Sequence, residues 1–452
     1  MVSTTPAPDR TQERIGRRRP RLARPARPPL WFVYALLAVF VGALGIRLAV
    51  VAAVHVPSEP GYLVDYDPIF YHRQANLVAD GRGFIAPYRL DDSGHGVVTP
   101  SAGHPPLLSI VLAAGSVVGL RSFRDHRAIT ALIGALVVLP VGFLAAWLAG
   151  WWAGIVAAAL AAVYPNLWLN DGMLMPEGLY ALLVALMLLA TYAVIVGWHR
   201  RASTVALGLC IGLAALTRGE GLLFLAFLVV PLAILAPLGS ARRRLLVAGT
   251  AVAATAVVVL PWTLYNLTRF QHPVIISTAQ DTTLAGANCK LAYYGSGLGY
   301  WGEQCFDDIL ARNLEESVAA QDMRSRALHY ARHHVSRLPV VAAARFGREW
   351  GLVRPKQTVD ADILENKPRS WSWVGYFSFF VVLAFGIAGA VRLWRRRVPI
   401  WPFVMTAVMV SVTAVVFYGN TRFRIPVEIA IVVLAAVAIT PRRDVEPALE
   451  LT

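Results

Sequence analysis

The sequence predicts an all-α polytopic membrane protein of about ten transmembrane helices, with surface helices and a smaller α-rich or mixed segment outside the bilayer. Three observations predict it. First, the 452 residues are 57% hydrophobic and 15% charged, against roughly 45–50% and 25% in a soluble domain. Second, the apolar residues arrive in long runs, and a run of about 20 residues can cross a bilayer. Such runs must be helical, because lipid offers an unpaired backbone amide no partner. Third, short basic clusters separate several of the runs. An ordinary cytosolic enzyme, a disordered chain and a coiled coil are thereby excluded. The net charge of +15 comes from 42 Lys and Arg against 27 Asp and Glu. In a chain with these runs, arginines mark cytoplasmic flanks, and no nucleic-acid partner is expected.

Residues 1–30, with eight arginines, read as a disordered basic cytoplasmic arm. The run 31–54 is longer than a signal-peptide core of roughly 7–15 residues and reads as a retained first span. Further runs cover 106–120, 128–149, 153–169, 178–197, 204–217, 221–238, 245–264, 373–393, 399–418 and 425–440. The clusters His199-Arg200-Arg201, Arg242-Arg243-Arg244, Arg395-Arg396-Arg397 and Arg442-Arg443 should all be cytoplasmic. They are so only if 106–120 does not cross, and that run is short of a span. It is therefore expected to lie on the outer surface, leaving ten spans with both termini in the cytoplasm of a plasma-membrane protein. The expected organisation is an N-terminal transmembrane catalytic module 31–264 with an external loop 55–127, an external segment 265–371, C-terminal spans 372–440 and a tail 441–452. Arg47, inside the first span, is expected to snorkel outward.

Ionisable residues at the outer boundary are the candidate site. Asp65 and Asp67 precede Pro68 and a helical stretch carrying Tyr71 and His72. Acids there suit a helix N-terminus, or supply a carboxylate general base. His104 stands before Pro105-Pro106, and Asp171 and Glu177 flank the start of the 178–197 run. Arg218 splits a long apolar stretch in Thr217-Arg218-Gly219-Glu220-Gly221, and Arg422 lies in Gly419-Asn420-Thr421-Arg422-Phe423-Arg424. Arginines in short external turns oppose the positive-inside bias, and an anionic lipid substrate gives them a reason. Arg218 could equally pair with Glu220 or snorkel. Cys289 and Cys305, sixteen positions apart in the polar segment, are expected to form a disulfide if it faces an oxidising compartment; two free thiols are the alternative. His329, His333 and His334 lack a third zinc ligand at sensible spacing, so no metal site is expected. No cofactor motif is found, and dependence on a divalent metal is open.

These motifs together resemble the GT-C glycosyltransferases, and within them the family 39 group of protein O-mannosyltransferases and lipid A aminoarabinose transferases. The resemblance rests on Asp67 with Tyr71-His72 and Gly81-Arg82-Gly83-Phe84, on His104-Pro105-Pro106, and on Leu174-Met175-Pro176-Glu177-Gly178-Leu179. It continues through Leu216-Thr217-Arg218-Gly219-Glu220-Gly221, Pro261-Trp262-Thr263 with Asn266, and Arg422-Phe423-Arg424-Ile425-Pro426. It implies a sugar donor on polyprenyl phosphate, an external site and inverting transfer to an acceptor hydroxyl on an envelope glycan, lipid or protein. Asp67 would be the base, Glu177 a second catalytic acid, and Arg218 and Arg422 the donor phosphate ligands. Asp65, Tyr71, His72, His104 and Asp171 would be possible acceptor or substrate contacts. The rival readings are a transporter or flippase for a lipid-linked glycan and a non-catalytic envelope assembly protein.

Overall fold

The computed structural model describes residues 22–54, 67–89 and 96–441. Asp65, the arm before Leu22 and Arg442-Arg443 lie outside the described residues. The first half of the chain folds as α1 (Leu30–Ala53), α2 (Asp67–Ala79), α3 (Leu107–Val117), α4 (Phe123–Leu136), α5 (Val138–Ala149), α6 (Trp151–Val163), α7 (Pro165–Asp171), α8 (Glu177–Val196), α9 (Arg200–Thr217), α10 (Val230–Leu235) and α11 (Ala241–Leu267). Short helices α12 (Ala279–Ala287), α13 (Lys290–Tyr293) and α14 (Asp307–Leu310) follow, then α15 (Glu316–His333), α16 (Leu338–Glu349) and α17 (Pro355–Leu364). The chain closes with α18 (Arg369–Arg395), α19 (Trp401–Val416) and α20 (Ile425–Ile439). Among the described residues no strand forms; Ile85 and Pro100 make an isolated antiparallel bridge.

Six helices are long and apolar enough to cross a membrane, and a seventh if the bent pair α6–α7 is one span. The pair bends by 53° where Pro165 removes a helical donor. The chain is a multi-pass membrane protein. α3 has 11 residues, about 16 Å at 1.5 Å per residue, so it falls short of a hydrocarbon core of about 30 Å.

Burial separates lipid-facing helices from the bundle centre. In α20, 13 of 15 residues are buried, so it is the central helix. In α1 the buried residues are Phe32, Leu36, Ala43, Arg47 and Val51, a single stripe at helical spacing. α18 meets α20 through Gly386 and Gly389; a Cβ on Gly389 would stand 1.8 Å from the Leu434 carbonyl oxygen. α9 meets α11 in the same way, a Cβ on Gly208 falling 2.3 Å from the Ala251 carbonyl oxygen. Small residues give close backbone approach where apolar burial drives little helix association.

Arg47 corrects its expectation. It is fully buried, pairs with Asp171 Oδ2 at 2.6 Å and donates to the carbonyls of Ala43 and Ala162. A charge with a buried partner has no reason to reach for the interface.

Residues 268–368 form a cap over one end of the bundle, stitched to the loop that follows α2. Arg269 donates to the Phe84 carbonyl at 2.6 Å. Glu316 accepts from the Ala102 amide and the Thr278 hydroxyl, each at 2.8 Å. Arg345 donates to the carbonyls of Ala287 and Val415, joining the cap to the end of α19. A disulfide joins Cys289 to Cys305 with Cα atoms 5.9 Å apart.

Candidate functional site

Five chain segments bring charge to one place at the capped end. Asp67 opens α2, and Glu177 opens α8 after Pro176. Acids at these positions meet the positive end of a helix. Arg218 is the residue at which α9 stops. Arg422 lies in the one-turn 3₁₀ helix Thr421–Arg424, where the Asn420 side chain accepts from the Arg422 amide at 3.1 Å. The fifth segment follows α17. There Asn366 takes a left-handed φ of 62°, and the amides of Asn366 and Lys367 close on the carbonyls of Ile363 and Asp362. This Schellman cap holds Glu365 and Lys367 side by side.

Arg422 is the hub. Its Nε meets Glu177 Oε1 at 3.0 Å, its Nη1 meets Glu365 Oε1 at 2.9 Å, and its Nη2 meets Asp67 Oδ2 at 3.3 Å. Arg218 reaches the same Glu177 Oε1 at 2.7 Å and turns its Nε to Glu220 at 2.5 Å. Lys367 lies 2.8 Å from Asp362 and 2.9 Å from Glu365. Among the described residues, five carboxylates (Asp67, Glu177, Glu220, Asp362, Glu365) thus meet three cations (Arg218, Arg422, Lys367). Burial pushes the Glu365 carboxyl up, but Arg422 and Lys367 outweigh it and leave it below the usual range. Burial depresses Lys367, and Asp362 and Glu365 more than restore it, so the ammonium stays charged.

Asp67 is the more open acid of the pair the sequence singled out. Its side chain is 28% exposed, whereas that of Glu177 is fully buried. His104 Nε2 stands 3.5 Å from Asp67 Oδ1. Tyr71 packs behind, its ring 5.1 Å from that of His104. Burial, with Asp67 and Glu177 nearby, holds the Tyr71 phenol well above its ordinary pKa, so it stays neutral. The structure therefore gathers Asp67, Glu177, Arg218, Arg422, Tyr71 and His104.

Two other candidates are placed elsewhere. His72 turns from the cluster to His126, with the two Nδ1 atoms 3.0 Å apart. Ser116 sits 2.9 Å from His126 Nε2 and donates to Asn76 Oδ1. The next residue along a helix from Tyr71 points about 100° away, which is the reason. Asp171 is 2% exposed and bound to Arg47, so a contact with substrate is replaced by an internal ion pair. Glu365, Lys367 and Asp362 were not foreseen. The readable signal was the helix stop Asn366-Lys367-Pro368 just before an apolar run, which sets charged side chains at the membrane boundary.

Among the described residues, no group of three or more His, Cys, Asp or Glu is disposed to hold a metal ion.

No family model matches the chain, and no curated protein matches it in sequence. Solved structures do. The oligosaccharyltransferase of Archaeoglobus fulgidus in its apo form aligns with 90% of this chain and 50% of its own, at 17% identity and a TM-score of 0.52. The Archaeoglobus fulgidus enzyme in complex with an inhibitory peptide and a dolichol-phosphate aligns over the same shares at 17% identity and a TM-score of 0.51. The fold is that of the GT-C membrane glycosyltransferases. The chain spans about half the length of the solved protein it matches. Within this GT-C fold, every residue of the charged cluster sits on a helix end or a turn rather than mid-helix.

Proposed function

We propose that the protein is a glycosyltransferase that moves a sugar, with inversion, from a polyprenyl-phosphate donor to an acceptor hydroxyl at the external face of the plasma membrane. The observation that carries the reading is that Arg422 touches both Asp67 and Glu177. One guanidinium thereby links the open carboxylate suited to be a base with the cations suited to a leaving phosphate.

Asp67 takes the proton from the acceptor hydroxyl. The acceptor oxygen bonds to the anomeric carbon as the bond from that carbon to the phosphate oxygen breaks, and polyprenyl phosphate leaves. Negative charge grows on the phosphate, and Arg422 and Arg218 meet it; fixed cations stabilise such a transition state without reorganising. Glu177, bound by both arginines through one oxygen, sets their orientation. His104 lines the Asp67 side of the site, where the acceptor enters. The basic clusters His199-Arg200-Arg201 and Arg395-Arg396-Arg397 lie at the far ends of α8 and α18 from Glu177 and the cap, which supports an external site. The acceptor is an envelope glycan, lipid or protein.

The test begins with cells lacking the gene, whose accumulating lipid-linked sugar is extracted and given to the purified protein. Wild type is expected to release polyprenyl phosphate from it, and Asp67→Asn is not. Equal release by both would remove Asp67 as the base, and no release by wild type with any envelope acceptor would remove the reading.

A further inference from the structure

Resting on that reading, we propose that Glu365 holds the place of the donor phosphate between Arg422 and Lys367, and that Lys367 is a third cation of the phosphate site. Glu365 presents one oxygen to Arg422 Nη1 and the other to Lys367 Nζ, each at 2.9 Å. A phosphate bridging the same two cations would make the same contacts.

Arg422 has three carboxylate partners, and they are not equivalent. Asp67 is the base. Glu177 is fully buried and held by a second arginine. Glu365 sits on a turn outside the bundle helices, 19% exposed, next to Leu364, which is 72% exposed. It is the partner that can leave with least disturbance. Lys367 stays in place without it, because Asp362 holds the ammonium independently at 2.8 Å. Arg422 and Lys367 also line one crevice, with Asp362, Asn170 and the ion pair of Arg424 with Glu428.

Charge balance requires an exchange. The cluster already carries two more carboxylates than cations, so adding an anion to it is unfavourable at this depth. A sugar phosphodiester has one negative charge, as a carboxylate does, and replacing Glu365 leaves the balance unchanged. After transfer, the product phosphate monoester carries more charge, and the return of Glu365 to Arg422 competes for its place and helps it leave. Glu365 is thus a positioning residue that acts through Arg422.

The experiment measures binding of decaprenyl phosphate to the full-length protein in nanodiscs, with neutral decaprenol and inorganic phosphate as comparisons. Glu365→Gln is expected to bind decaprenyl phosphate at least about fivefold tighter than wild type, the loss of one competing charge-assisted contact. Lys367→Met is expected to bind it at least about fivefold more weakly. In turnover, Glu365→Gln should lower both KM for the donor and kcat, since product leaves more slowly. Unchanged or weaker binding by Glu365→Gln overturns the placeholder, and unchanged binding by Lys367→Met overturns its role. If wild type binds decaprenyl phosphate no better than decaprenol, the glycosyltransferase reading itself falls. Inorganic phosphate competing as well as the lipid would assign the site to free phosphate and overturn a lipid donor.

Discussion

Two charged networks lie near the same end of the bundle and share a chemistry, yet they are built for opposite purposes. In the first, Arg47 and Asp171 meet at 2.6 Å with side chains 1% and 2% exposed. The arginine's Nη1 donates to the backbone carbonyls of Ala43 and Ala162. In the second, Arg422 divides itself among three carboxylates from three parts of the chain, one of them 28% exposed. The first pair is one cation on one anion and has nothing to exchange. The second has more acids than bases and an open side, so one anion can replace another at little electrostatic cost. A buried ion pair is therefore no sign of a site by itself; surplus partners and an opening are.

Substitutions can break this comparison. The largest effect is expected at Asp67, where Asn should cut transfer by about 10²–10⁴-fold, the usual contribution of a general base, with yield and melting temperature unchanged. A rate assay beside a thermal melt checks both halves. Arg422→Lys should cost about 10²–10³-fold, since an ammonium cannot span three partners and one charge stabiliser of the transition state is lost. Steady-state kinetics with the donor would show it mainly in kcat. Asp171→Asn should instead destabilise the fold by about 3–5 kcal/mol, the result of leaving a buried charge unpaired, with kcat of the surviving protein near wild type. A large kinetic defect in stably folded Asp171→Asn would merge the two networks into one.

The smaller effects sharpen the picture of the cap. Cys289→Ser with Cys305→Ser removes a link across 16 positions and should lower stability by about 3 kcal/mol in the chain-entropy account, read as a lower melting temperature. The smallest effect concerns His72. Burial first, then His126 and Arg73, lower its pKa to about 4. The folded state keeps it neutral while the unfolded state takes up a proton below about 6.5. Its contribution to stability is therefore complete above about 6.5 and declines as pH falls toward 4. His72→Gln should flatten that part of the melting-temperature profile.

Much of this was legible in the sequence, and the parts that were not have physical reasons. The apolar runs fall on helical segments of the bundle, although 153–169 bends at Pro165 and 221–238 is broken into short helical pieces, and the length of 106–120 set α3 apart, because burial in lipid leaves a compositional trace. Glu177, Arg218 and Arg422 stood out because charges at the ends of apolar runs are conspicuous, and Asp67 because it stands just before Pro68 and a helical stretch. Glu365 and Lys367 did not, since charges within a long polar segment are ordinary and the contact with Arg422 spans 57 positions. Asp171 misled through nearness: only six positions from Glu177 in sequence, it lies on α7, which ends facing α1. Arg47 misled because its partner is 124 positions away, and a lone arginine in an apolar run reads as an interfacial one.

The most direct test compares cells whose only copy of the gene carries Asp67→Asn with cells carrying Asp171→Asn, matched for protein level in the membrane. The lipid-linked sugar pool is profiled in each. The account predicts that Asp67→Asn cells accumulate a single polyprenyl-phosphate sugar, as cells without the gene do, while Asp171→Asn cells keep the wild-type pool. A wild-type pool in Asp67→Asn cells, or equal accumulation in both, would contradict it.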